Sequence, residues 1–92
     1  MNNHQRAKKK AHFLDLDLAG LCDINSHSDL NNKDIESLLI RMHESLHRIM
    51  GGHRAEIKVW MTSKNSHLNG IPHELIMREG KLFNVVCYLE RF

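Results

Sequence analysis

Ile35, Leu38, Leu39, Met42, Leu46 and Ile49 fall on one side of a helix drawn at about 100° per residue, the clearest apolar stripe in the chain. Asn31 stands ahead of it as an N-cap, with Asp34 three positions on and Leu30 and Ile35 at the staple positions. Gly51-Gly52 follows as a stop, so the pattern predicts a helix over 32–50. A second helix over 53–61 is anchored by Ile57, Trp60 and Met61. "TSKNSHLNG" then reads as a loop, and "IPHELIM" as a short helix with Pro72 at its first position and Glu74 in its first turn. A last helix over 80–91 gathers Leu82, Val85, Val86 and Leu89 on one side.

The N-terminal third is less regular. "AHFLDLDLAGLC", over 11–22, alternates Leu14, Leu16 and Leu18 with Asp15 and Asp17 as a strand would, yet Phe13, Leu14, Leu18, Leu21 and Cys22 share a helical face. A short helix is the preferred reading. "DINSHSDL", over 23–30, is rich in turn formers and reads as a linker. Residues 1–10 carry no apolar period and read as a disordered basic tail. The expectation is an all-α fold, a small bundle of four to five short helices. Residues 1–30 would form tail, short helix or linker, and 31–92 the helical domain.

A length of 92 residues bounds the chain to one small domain, and 41% hydrophobic with 26% charged residues is the balance of a globular protein. No apolar run approaches the roughly 18 residues of a membrane span, and the start lacks a signal peptide's apolar segment, so a cytoplasmic protein with no membrane contact is expected. Cys22 and Cys87 stand in no paired motif, which fits free thiols in a reducing compartment. The net charge of +2 does not by itself imply nucleic acid. Arg6, Lys8, Lys9 and Lys10 nevertheless concentrate charge at one end, either as a solvated tail or as an arm contacting DNA.

"HESLHRIMGGH", over 43–53, raises a sharper chemistry. His43, Glu44 and His47 match H-E-x-x-H, in which two histidines one turn apart bind zinc and the glutamate is the base, and His53 has a third-ligand spacing. Both helical histidines fall about 80° and about 120° from the apolar stripe, so they leave the core together. Against a zinc hydrolase, Met50 occupies the position where the longer pattern requires glycine, and no sheet edge is predicted to hold a peptide. The metal reading is a remote alternative; no cofactor, metal or catalytic residue is expected.

From the long helix onward the chain resembles the toxin-binding domain of the Xre/MbcA/ParS family of bacterial antitoxins. The resemblance covers about residues 33–92 and rests on an ordered series. Leu38, Leu39 and Leu46 are followed by Gly51-Gly52, Trp60-Met61, then Asn65, Leu68 and Gly70. Pro72 with Glu74-Leu75-Ile76, Gly80 and "NVVCYLERF" complete it. The chain departs from the family pattern in a shorter Leu68–Pro72 connection and in Lys81 after Gly80. The resemblance implies a non-enzymatic module that binds a RES-type, NAD-degrading toxin and covers its active site; because only about 30 residues precede the matching region, short for a complete DNA-binding unit, DNA binding is expected to be weakened, absent or delegated. Surplus apolar residues of the last helix, Phe83, Cys87, Tyr88 and Phe92, call for a cover: a homodimer, a toxin, or the 11–22 segment. The expected partner contacts are Tyr88, Arg91 and Phe92, with Lys64, Asn65, Asn69 and Arg78 in the neighbouring loops.

Overall fold

The computed structural model describes residues 2–26 and 30–92. These form six helices and no strand: α1 Asn3–Phe13, α2 Leu18–Asn25, α3 Asn32–Met50, α4 Arg54–Thr62, α5 Pro72–Met77 and α6 Leu82–Leu89. The all-α bundle read from the apolar pattern is the architecture of the protein, with six helices where four to five were counted.

Helix α3 is the central element because its start is fixed locally and its stripe is long. Asn31 Oδ1 accepts from Asp34 N at 2.9 Å while Asn31 N donates to Asp34 Oδ2 at 3.1 Å, a reciprocal cap that satisfies two otherwise orphaned donors. Ile35, Leu39, Met42 and Leu46 are fully buried along it. The helix ends where Gly51 takes the left-handed conformation, φ 70°, that a residue with a side chain adopts only at a cost. Ile49 departs from the expected stripe: it is 40% exposed, because it lies in the last turn, beyond Leu46, where the buried positions of α3 stop.

Against α3 pack α1 on one side and α6 on another, and α5 joins α2, α4 and α6. Leu82, Val85, Val86 and Leu89 are all buried, each contributing about 2 kcal/mol of apolar transfer free energy. Ile57 and Met61 anchor α4 as read from the sequence, with Trp60 partly buried beside them. Pro72 occupies the first turn of α5, where its missing N–H costs nothing.

The N-terminal reading needs correction. The basic stretch is not a disordered tail but helix α1, capped by Asn2 Oδ1, which accepts from Gln5 N at 2.8 Å. Its buried face is made of small residues, Ala7 and Ala11, which let its backbone approach α3 closely. His4 Nδ1 meets the nine-tenths-buried Glu36 of α3 at 2.5 Å and clips the start of α1 in place. The 11–22 segment is not one short helix either. It is divided by a turn at Leu14–Asp17, in which Leu16 N donates to Ala11 O at 2.8 Å and Asp15 takes φ 57°. Asp17 then caps α2 through Gly20 N. The expected linker over 23–30 begins inside α2, which runs to Asn25, while His27, Ser28 and Asp29 lie outside the described residues.

Candidate functional site

The end of α6 is held to α3 by two arginines. Arg41 forks onto Glu90, with Nε at 2.9 Å and Nη2 at 2.5 Å, and this pairing holds the Glu90 carboxyl below its ordinary range. Arg48 Nη2 donates to the carbonyls of Leu89 and Phe92 at 3.4 and 3.2 Å, satisfying acceptors that the helix terminus leaves open. Tyr88, Arg91 and Phe92 are therefore carried on a fixed platform. Tyr88 is partly buried, whereas Phe92 is 67% exposed and meets the Tyr88 ring edge-on at 5.2 Å.

The loop after α4 reaches the same place. Helix α4 ends as Thr62 and Ser63 hydroxyls donate back to the carbonyls of Lys58 and Val59. Asn65 and Gly70 then pair through both backbone groups, at 2.8 and 3.2 Å, and close the loop on itself. Asn65 Oδ1 accepts from His67 N and Leu68 N, so this side chain shapes the loop from within, and Asn69 occupies its left-handed position at φ 58°. His67 is thereby laid over Tyr88, ring centroids 5.9 Å apart and nearly parallel.

Between loop and helix lies a cleft of about 240 Å³ rimmed by His67, Lys81, Asn84, Tyr88 and Arg91, with the buried Leu75 and Val85 in its lining. Of the seven expected contact residues, the structure brings Tyr88, Arg91 and Phe92 together and sets Asn65 and Asn69 in the adjoining loop. Lys64 and Arg78 are exposed but do not line the cleft. Sequence reasoning missed His67, Lys81 and Asn84. His67 and Tyr88 are far apart in the chain, and only the closed loop makes them neighbours; Asn84 could have been found on the helical wheel, one turn before Tyr88.

On α1 the four basic residues split into two pairs. Arg6 turns to Glu44 at 3.6 Å and Lys10 Nζ lies 3.4 Å from His43 Nδ1, so both face α3. Lys8 and Lys9 stay exposed along an open groove with His12, Phe13 and Arg54. Arg54 is itself engaged there: it bonds Phe13 O and Asp15, and lies 5.6 Å over the Phe13 ring.

The HESLH histidines are packed between the same elements. His43 and His47 rings lie 4.2 Å apart, and the Phe13 ring stands 5.1 and 5.4 Å from them. Burial pushes the His43 pKa down to about 4, with the Lys10 cation and His47 adding to the shift. His47 Nε2 is buried with no hydrogen-bond partner among the described residues, Glu44 faces Arg6, and His53 is exposed at the start of α4. Among the described residues no three His, Cys, Asp or Glu side chains converge as a metal site. Cys22 and Cys87 are free and partly buried, and burial raises the Cys22 thiol pKa. No helix among the described residues is long and apolar enough to cross a membrane.

No family model, no curated protein and no solved structure matches the chain.

Proposed function

We propose that this chain is a protein-binding module that neutralises a RES-type, NAD-degrading toxin by covering its active site, and that it docks through the end of α6 and the loop beside it. The observation that carries the docking face is the array of His67, Tyr88 and Phe92, exposed at its tip and clamped to α3 by Arg41 and Arg48. An exposed aromatic group with an adjacent arginine, already held in one geometry, loses little entropy on binding and has the composition of an interaction hot spot. The partner class rests on the ordered antitoxin-like series from Leu38 to the last helix. The other flank of α6, where Phe83 is 51% exposed beside Leu30 and Leu38, is where a second copy would pair in a homodimer, which light scattering on the free chain would detect.

The test is co-expression with a RES-type enzyme, read as complex formation and as protection of NAD. Tyr88→Ala is expected to weaken binding at least tenfold, about 1.4 kcal/mol or more, while leaving helical content unchanged. Arg91→Glu should weaken it as well. Binding that survives both substitutions would put the interface elsewhere. A second reading, contact between α1 and a DNA backbone, is favoured by the exposed pair Lys8 and Lys9 with Arg54 beside them. It requires an affinity that falls steeply with salt and in Lys8→Gln/Lys9→Gln; salt-insensitive or absent binding removes it.

A further inference from the structure

We propose that the cleft between the 63–70 loop and α6 receives an aspartate or glutamate carboxylate presented by the bound protein partner. This rests on the reading of the α6 end as a docking face and adds the chemistry of the partner's contact. The rim carries an ammonium from Lys81, a guanidinium from Arg91, the amide of Asn84, the imidazole of His67 and the phenol of Tyr88, and no carboxylate lines it. Every one of these groups can donate a hydrogen bond, so an acceptor-only group with two oxygens is the complementary guest. Arg91 enters no ion pair among the described residues. Lys81 is shared with Glu79 at 3.6 Å, but both are about half exposed, 52% and 53%, and such a surface pair yields readily to a better-placed anion. The volume of about 240 Å³ leaves room for an aspartate or glutamate side chain to enter. The buried Leu75 and Val85 behind the rim lower the local dielectric and strengthen the attraction relative to open water. Phe92 stands beside Tyr88 on the same helix end, so the partner would bring an acidic residue flanked by apolar surface.

Two measurements decide it. In the first, the labelled full chain is titrated with a short capped polyglutamate peptide and, separately, with its polyglutamine counterpart, and resonances are followed by NMR. Shifts at Lys81, Asn84, Tyr88 and Arg91 with polyglutamate alone are expected. They should fade as salt rises from about 0.05 to about 0.3 M and persist in Lys8→Gln/Lys9→Gln, which removes cations from α1 only. No shifts at those residues, or equal shifts with polyglutamine, overturn the proposal. In the second, affinity for the RES-type enzyme is measured in Lys81→Glu/Arg91→Glu and in the milder Lys81→Gln/Arg91→Gln, both substituting exposed positions and checked for retained helicity. A loss of at least tenfold for the first pair and a smaller loss for the second are expected. If the enzyme still binds, still depends on Tyr88 and Phe92, and is indifferent to both charge variants, the carboxylate guest is wrong while the docking face stands. If Tyr88→Ala and Phe92→Ala leave binding unchanged, the docking reading falls and the peptide titration still decides the cleft.

Discussion

Asn25 is 1% exposed, and the fold uses almost every hydrogen-bonding direction of its amide. Nδ2 donates to Leu21 O at 2.8 Å and to Ile76 O at 3.0 Å, and Oδ1 accepts from Leu82 N at 2.9 Å. One side chain thus joins α2, α5 and the start of α6, supplying the N-terminal acceptor that Lys81, at the cap position, does not. Next to it Gly80, at φ 66°, passes so close to the carbonyl of Ile24 that an added Cβ would lie 2.6 Å from that oxygen. The junction therefore tolerates neither a side chain at Gly80 nor an apolar one at Asn25. Asn25→Ala strands a buried carbonyl and a buried N–H, and a loss of about 3 kcal/mol is expected from urea unfolding. A loss below about 1 kcal/mol would mean that water replaces the amide. None of this was legible in "DINSHSDL", where asparagine followed by serine in a polar run is the usual mark of a turn; its partners, Ile76 and Leu82, are remote in the chain.

At the scale of elements, what could be read was what has a local cause. Helix α3 was legible to the residue because a cap, a stripe and a glycine stop all act within it. The buried side of α6 was legible because four large apolar residues recur at helical spacing. Helix α1 was not, since its buried residues are two alanines, which carry little hydrophobic signal, and three consecutive lysines hide the period. Its seat on α3 also explains the HESLH pair: His43 and His47 meet Phe13, Lys10 lies against His43, and Arg6 and Glu44 pair on the neighbouring turn. The folded His43 has a pKa of about 4 against the ordinary 6.5, so between those values the unfolded chain takes up a proton that the folded chain refuses. The contribution to stability is complete above about pH 6.5 and is lost as pH falls toward about 4. Because the ring is only half-buried, solvent reduces the effect to about 1 kcal/mol. His43→Gln should flatten this part of the profile, which urea midpoints of both proteins between about pH 7 and about pH 4 would show. Parallel profiles would assign the acid sensitivity to other groups.

At the scale of the molecule, α1 decides what kind of unfolding the chain undergoes. A basic tail would leave a core of 31–92 that melts by itself, whereas Ala7 and Ala11 belong to the same buried cluster as Ile57 of α4 and Val86 of α6. The Cα radius of gyration, 12.1 Å, is that of a compact chain of this length, about 12 Å. One core shared by all six helices predicts one cooperative transition. Trp60 fluorescence, which reports on α4, and far-UV ellipticity, which sums every helix, are expected to coincide in urea, with a slope of roughly 1 kcal/mol per molar. Trypsin adds a local probe, because Lys8, Lys9 and Lys10 lie inside α1. Cleavage there should be slow in buffer and should accelerate in step with the global transition, since a protease acts on the open form and α1 opens only with the core. Rapid cleavage at these lysines with Trp60 fluorescence undisturbed would show that α1 detaches while the remaining helices stay folded, and would free the His43–His47 face of α3 for another partner.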